Sequence, residues 1–317
     1  MRLVHFTDVH FVRPPAEFPR RDFFTKRGVG WLNLVVFRRL RRFVGLSRVV
    51  KAFLGDLRSL DEIDQVVFSG DLTAVAYRQE FEAAAAALGE LRERHDIVGV
   101  PGNHDLYVPG SSRERLFEAT FPAWIYSDRP DLRVANTHYP LVRHVGPDWA
   151  IIAVDSSRPT KLHDSSGMLG QAALEAIDAA LDDEALATRN KIIVLHYAPR
   201  RSDGTPDTPR HGLRDAEDLL EILRRRSGER GVRAVLHGHI HDRFVLDAGG
   251  ATPVLLANAG SLTDAKHGRT YHIYDFGEQG VRVRVRRFHE ITGVFEDWDD
   301  APGAGFHAYG GARERAR

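Results

Sequence analysis

The 317-residue chain reads as an α/β protein built on two packed sheets. Three observations predict this. Apolar runs of four to six residues alternate with longer helical patterns up to about residue 241, the signature of strands joined by helical crossovers. From Arg243 onward short strand-like runs follow one another with Gly-rich turns, which predicts a second, more antiparallel sheet packed on the first. Five polar motifs each begin where an apolar run stops, the edge at which open α/β sheets place their sites.

The elements follow in order. Strands are expected at Leu3 to Thr7, Gln65 to Ser69, Ile97 to Val100, Ala150 to Val154, Lys191 to Leu195 and Ala234 to Leu236. Helices are expected at Ser47 to Leu60, Tyr77 to Arg94, Arg113 to Phe121, Gln171 to Leu181 and Leu213 to Arg226. The later strands are Arg243 to Leu246, Pro253 to Ala257, Thr270 to Phe276 and Val281 to Arg287. Residues 1–293 are read as one domain. The tail, residues 294–317, is rich in Gly, Ala and charge and is expected to be poorly ordered.

About 60 residues separate the first motif from the second, roughly twice what one crossover needs. The excess is an insert at about residues 13–44. On a helical wheel Leu32, Val36, Phe37, Leu40, Phe43 and Val44 share one arc, and Arg38, Arg39, Arg41 and Arg42 the other. Between Asp22 and Asp56 there is no acidic residue. A basic amphipathic helix with Trp31 at its start, and Phe18, Phe23 and Phe24 beside it, suits a membrane surface through residues 23–44. The bland alternative is a helical cap with solvated arginines. No aromatic–basic alternation of a nucleic-acid platform is visible, so nucleic acid is not expected as a partner.

The hydrophobic fraction of 43% and the charged fraction of 28% are ordinary for a globular chain. No apolar run is long enough to span a bilayer. The first residues are too short and polar for a secretory signal. The absence of cysteine excludes disulfides and thiolate metal sites. A cytoplasmic location is expected, with peripheral contact to the inner membrane face as a further expectation.

The motifs are Asp8-Val9-His10, Gly70-Asp71, Gly102-Asn103-His104-Asp105, His196 and Gly238-His239-Ile240-His241. Along a strand, residues i and i+2 share a face, so Asp8 with His10, and His239 with His241, could each grip one ion. Two cations need a bridging carboxylate, and Asp71 is the natural one. Imidazole, carboxylate and amide donors together suit Zn, Mn or Fe.

This set resembles the calcineurin-like metallophosphoesterases from Asp8 to His241. The resemblance implies a two-sheet β-sandwich flanked by helices, four layers in the order α/β/β/α, with two divalent metal ions at the strand ends. It assigns Asp8, His10, Asp71 and His241 to one ion, and Asp71, Asn103, His196 and His239 to the other. It makes His104 the catalytic histidine and Asp105 the residue that orients it. The implied reaction is hydrolysis of a phosphodiester or pyrophosphate bond by attack of a metal-bound hydroxide. Gly70-Asp71-Leu72 lacks the Asp-Arg-Gly of protein serine/threonine phosphatases. Ala74 and His10 stand where purple acid phosphatases carry tyrosine and glycine. The pattern is nearest the bacterial phosphodiesterase and pyrophosphatase branch.

The insert resembles the basic hydrophobic inserts of enzymes that cleave lipid-linked pyrophosphates such as UDP-2,3-diacylglucosamine. Arg200, Arg201, Arg210 and His211 follow His196 and are candidates to bind a second phosphate. Asn258 to Ser261 is read as a pocket wall, and Asp155 as a structural cap. Two alternatives stand beside this reading: a soluble cyclic-nucleotide phosphodiesterase, and a non-catalytic scaffold of the same fold.

Overall fold

The computed structural model describes residues 1–36, 39–228, 230–249 and 253–308. In chain order the strands are β1 (Arg2–Phe6), β2 (Gln65–Phe68), β3 (Ile97–Gly99), β4 (Leu141–Val145), β5 (Trp149–Ala153), β6 (Asn190–Val194), β7 (Val232–His237), β8 (Arg243–Asp247), β9 (Leu255–Ala259), β10 (Thr270–Phe276), β11 (Gly280–Phe288), β12 (Phe295–Asp297) and β13 (Gly305–Ala308). The α-helices are α1 (Lys26–Val35), α2 (Leu46–Ser59), α3 (Arg78–Ala87), α4 (Gly89–Arg94), α5 (Pro109–Glu114), α6 (Leu116–Thr120), α7 (Gln171–Asp182) and α8 (Ala216–Arg225).

Two mixed sheets stack face to face. One runs β12-β11-β10-β1-β2-β3, with β13 also on β11, and the other runs β4-β5-β6-β7-β9-β8. Strands β1, β2 and β3 are parallel, as are β5, β6, β7 and β9. The late strands do not form the separate antiparallel sheet that the sequence suggests. β10 and β11 join β1, whereas β8 and β9 join β7. Strand alternation fixes which face a residue takes, not which sheet it joins. Within the tail, β12 and β13 both pair with β11. Residues 309–317 lie outside the described residues.

Alternation sorts the layers. Phe6 of β1 points outward onto Phe53 of α2, with ring centroids 5.0 Å apart, and Phe53 also meets Tyr271 of β10. On the opposite face, Phe276 of β10 packs on Trp149 of β5 across the sandwich. The far face of the second sheet puts Ile152, Ile193, Val235 and Leu256 against Ile177 of α7 and Leu219 and Leu223 of α8. Helix α8 carries Glu217 and Asp218 in its first turn and Arg224 and Arg225 in its last, matching its dipole. The order is helix, sheet, sheet, helix. Each large side chain buried this way contributes roughly 1.5–3 kcal/mol.

The insert is helical in pieces rather than as one long helix. Three-residue-turn segments at Pro15–Glu17, Arg20–Phe24 and Arg39–Phe43 flank α1. Phe37 and Arg38 lie outside the described residues. The expected apolar arc is divided: Phe43 is buried and Leu40 half-buried, while Leu32, Val36 and Val44 are exposed, and Leu34, which lies off that arc, is buried. Arg27 fixes the insert to the loop after β2, donating to the carbonyl of Val75 at 3.0 Å and stacking 4.1 Å from the Tyr77 ring centroid. No helix among the described residues is long and apolar enough to cross a membrane.

Candidate metal centre

The seven residues proposed as metal ligands gather at one end of the sandwich, on loops just beyond β1, β2, β3, β6 and β7. The strand argument for Asp-x-His spacing is replaced by another geometry. β1 stops at Phe6, and Asp8 and His10 have φ of 53° and 54°. Asp71, His239 and His241 are also left-handed, at 60°, 75° and 56°. Such backbone is costly for residues with a Cβ and clusters at functional sites. It survives here because it is tied down. The N–H of Asp8 donates to the Gly70 carbonyl at 2.9 Å, and the N–H groups of Val9 and His10 donate to that of Asp71 at 2.9 and 3.1 Å. Ser261 and Thr263 then donate their hydroxyls to the carbonyls of Asp8 and Val9 at 2.7 and 2.6 Å.

Three glycines are required by close approach. A Cβ on Gly102 would stand 2.1 Å from Asp71 Oδ1, and one on Gly238 2.4 Å from Asp8 Oδ2. On Gly70 it would stand 2.6 Å from His196 Nδ1.

Four imidazoles turn one nitrogen outward to an oxygen acceptor. His10 Nδ1 donates to the Thr73 carbonyl (3.2 Å), His196 Nδ1 to the Ser69 carbonyl (2.8 Å) and His241 Nδ1 to Asp264 Oδ2 (2.9 Å). His239 does so with Nε2, which donates to the His211 carbonyl at 2.9 Å. The other nitrogens converge. His10 Nε2 and His241 Nε2 are 3.0 Å apart, and His241 Nε2 is 3.1 Å from Asp8 Oδ1. Asn103 Oδ1 is 3.1 Å from His196 Nε2 and 2.9 Å from His239 Nδ1. Asp71 Oδ2 sits between the halves, 3.4 Å from His196 Nε2 and 4.0 Å from His10 Nε2.

The donor set fits divalent cations. Asp8 Oδ1 is fully buried and faces only the Nε2 atoms of His241 and His10, at 3.1 and 3.7 Å, and an anionic oxygen so placed needs a positive charge beside it, an imidazolium or a metal ion. Outward N–H groups paired to carbonyls and a carboxylate are how metal-binding histidines are oriented. Among the described residues, three groups have mutually close donor atoms: Asp8, His10 and His241; His10, Asp71 and His104; Asp71, His196 and His239.

Electrostatics agree. Burial alone would raise the Asp8 carboxyl, but His241, His10 and His196 hold it well below the usual range. Burial and His196 oppose each other in the same way at Asp71, which is also lowered. Burial depresses His196 and His241, yet Asp71 and Asp8 respectively push them up to about 9. The carboxylates demand positive charge, as protons or as metal. Burial, with His196 and His211, keeps His239 well below its ordinary value.

His104 is half-buried on the wall of the cavity. Its N–H donates to Asp71 Oδ1 at 2.7 Å, and its Nδ1 donates to the carbonyl of Ala74. A carbonyl only accepts, so neutral His104 carries its proton on Nδ1, and the exchangeable proton is the one on Nε2. The orienting duty expected of Asp105 therefore falls to Ala74. Asp105 instead accepts from the N–H groups of Leu72, Thr73 and Gly102 at 3.1, 2.9 and 2.9 Å, locking the Asp71 and Asn103 loops together. Burial and the Asp71 charge push its carboxyl up to about 7 against those bonds.

The four proposed phosphate-binding residues separate. His211 lines the metal cavity. Arg210 lines two neighbouring cavities. Arg200 is held by both carboxylate oxygens of Glu217, at 2.6 and 2.7 Å, and Arg201 is exposed on its loop. Asp155 caps the N–H of Ser157 at 2.8 Å, and burial pushes its carboxyl up to about 8. Asp264, Ser261 and Thr263 are supporting residues that the sequence reading does not single out, apart from Ser261 as pocket wall. Their only signal is position after a strand end.

The family model described as calcineurin-like phosphoesterase matches residues 1–243. The chain belongs to that family. By its family the chain is a phosphoric ester hydrolase; the family uses a divalent metal centre, and this chain brings together His and Asp groups that could bind metal. Among solved structures it is similar to the sulfate thiohydrolase SoxB of Thermus thermophilus, at 14% identity, TM-score 0.49, over 94% of this chain and 58% of that one. It is similar to a 5'-nucleotidase precursor, also of Thermus thermophilus, at 15% identity, TM-score 0.48, over 96% and 56%. It is also similar to a predicted phosphoesterase of Streptococcus pneumoniae TIGR4, at 14% identity, TM-score 0.37, over 94% and 96%. The chain thus spans little more than half of the first two. No curated protein matches.

Proposed function

We propose that the chain hydrolyses a phosphodiester or pyrophosphate bond with two divalent ions, Mn, Zn or Fe. The observation that carries this is the set of four imidazoles whose far nitrogens are bonded outward while the near ones meet Asp8, Asp71 and Asn103. Asp8, His10, Asp71 and His241 would hold one ion, and Asp71, Asn103, His196 and His239 the other. When bound, such ions supply Lewis acidity toward phosphate oxygens and acidify water. His104, its tautomer fixed by Ala74, delivers the Nε2 proton to the leaving oxygen. Asp105 keeps the Asp71 and Asn103 loops in register. His211 turns His239 by accepting its Nε2 proton at the backbone.

The substrate proposed is lipid-linked, a nucleotide diphosphate-lipid of the UDP-2,3-diacylglucosamine kind, met at a membrane surface. Exposed Phe23, Phe24, Leu32, Val36 and Val44 on the basic insert support this. Mn- or Zn-loaded protein should hydrolyse bis-p-nitrophenyl phosphate and lose this in Asp71→Ala. Folded, metal-loaded protein inert on a broad phosphoester panel would count against the enzyme. Flotation with anionic vesicles should be lost in Phe24→Asp. Unchanged flotation, or none in the wild type, would leave the insert as a plain cap over a soluble diester site.

A further inference from the structure

The metal cavity, of about 240 Å³, has two kinds of wall. Asp71, Asn103, His104, His239 and His241 form the metal side, and Lys26, Val29 and Asn33 of α1 face them with residues 162–165. A second cavity of about 650 Å³ opens on the other side of that loop, lined by Lys161, Arg210 and Arg214, and the two share Leu162, His163 and Asp164. The cleft is therefore acidic and metal-seeking at one end and basic at the other.

Lys26 stands at the junction. Its Nζ donates to Thr160 Oγ1 at 2.6 Å and to the Asp164 carbonyl at 3.3 Å, and lies 4.9 Å from the Tyr107 ring centroid. Every one of these partners is uncharged. The Asp164 carboxylate is committed elsewhere, to Arg214 at 2.8 Å and to the Ser166 N–H at 2.8 Å. Among the described residues, no carboxylate oxygen lies within 4.0 Å of the charged nitrogens of Lys26, Lys161 or Arg210. A half-buried ammonium with neutral partners gains more from an anionic oxygen than from the ones it has.

We propose that Lys26, with Lys161 and Arg210 beyond it, binds a phosphate of the substrate adjacent to the one cleaved at the metal centre. The proposal rests on the phosphoester reading and narrows it: the substrate carries a second anionic phosphate on the far side of the scissile one. The insert then selects substrate chemically as well as covering the site. The competing account makes Lys26 a strap that only ties α1 to the 160–164 loop.

The test compares AMP with ADP, which differ by one phosphate, on full-length protein at fixed free Mn²⁺. Calorimetry gives both affinities, and bis-p-nitrophenyl phosphate hydrolysis gives the basal activity. Wild type should prefer ADP by about tenfold or more. Lys26→Met should bring that ratio to about one, with AMP affinity kept within about twofold, and Lys26→Arg should restore the preference. A wild-type ratio near one overturns the proposal. Equal weakening of AMP and ADP overturns it too, since that is what a strap predicts. If Lys26→Met does not fold, the doubly exposed Lys161→Ala/Arg210→Ala variant decides: a lowered ADP preference supports the proposal and an unchanged one overturns it. An ADP preference that depends on Lys26 in a protein inert toward the diester would sink the hydrolase reading and leave the anion site standing.

Discussion

Gly102→Ala isolates the geometry on which the proposed metal centre depends, because it changes none of the proposed ligands. The added Cβ would stand 2.1 Å from Asp71 Oδ1, 2.7 Å from its Cγ and 2.3 Å from its backbone nitrogen. Ordinary carbon contacts begin near about 3.5 Å, so the carboxylate must retreat by more than about 1 Å. It cannot do so alone, since the backbone nitrogen is equally close and both Val9 and His10 donate to the Asp71 carbonyl. Asp71 Oδ1 also accepts the His104 N–H at 2.7 Å, so the shift drags His104 with it. Overpacking of this kind costs about 1–3 kcal/mol of stability. Displacing Asp71, the residue proposed to serve both ions, should cost more in function than the 10–100-fold typical of groups that merely orient ligands, so a loss of roughly 100-fold or greater in metal affinity and turnover is expected. Metal content after dialysis, titration calorimetry with Mn²⁺ and bis-p-nitrophenyl phosphate kinetics would measure it. Gly110→Ala is the control, because its Cβ meets nothing within 4 Å. Two equivalents of metal bound to Gly102→Ala with wild-type affinity would refute the reasoning.

Two further outcomes can be checked on stability alone. Chelating the metal should lower the melting temperature by roughly 4 °C for each ion lost, since a ligand at a hundred times its Kd stabilises the native state by about 2.7 kcal/mol; a scanning calorimetry trace indifferent to EDTA would argue against an occupied centre. Glu80 is fully buried and accepts from the N–H groups of Arg13, Val75 and Tyr77 at 3.0, 3.0 and 3.2 Å, and burial outweighs those bonds to push its carboxyl from 4.5 up to about 6. The native state therefore keeps a proton that the unfolded chain releases at lower pH, so this group's stabilisation falls by up to ~2 kcal/mol as pH rises from about 4.5 to about 6. Urea unfolding of Glu80→Gln should lack that step; an identical pH profile in both proteins would show that Glu80 titrates normally.

The proposed ligand residues stood out as candidates because metal chemistry restricts residue types and the strands before them are strongly apolar. Their backbone was not legible. Asp8-Val9-His10 reads as strand alternation, yet both ends are left-handed, because Gly70, Asp71, Ser261 and Thr263 hold them from elements distant in sequence. Sheet membership was hidden for a similar reason: β10 alternates equally well for either sheet, and only its pairing to β1 decides. β4 escaped the pattern since Arg143 sits in its middle, buried and paired with Asp96 across to the other sheet. The helix expected over Tyr77 to Arg94 breaks at Leu88 and Gly89, and that over Arg113 to Phe121 at Arg115, whose φ is 48°. The insert's wheel failed because tertiary contacts to Val75, Tyr77 and Tyr107 chose a different buried face.

Left-handed backbone at five proposed ligands implies that their loops are held under tension by the surroundings, and one hydroxyl tests this. Thr263 Oγ1 donates to the Val9 carbonyl at 2.6 Å, and Thr263 is wholly buried. Thr263→Val keeps the shape and removes the donor, which should cost about 1–3 kcal/mol of stability in chelator. If the clamp exists to preorganise Asp8 and His10, the freed loop must be reordered on binding, and metal affinity should fall by roughly tenfold as well. Chelator-treated and metal-loaded melting curves separate the two costs: the variant should lose more in metal than in EDTA. Equal losses in both would mean that Thr263 only fastens the loop to the fold, and that the left-handed ligands are stable without help.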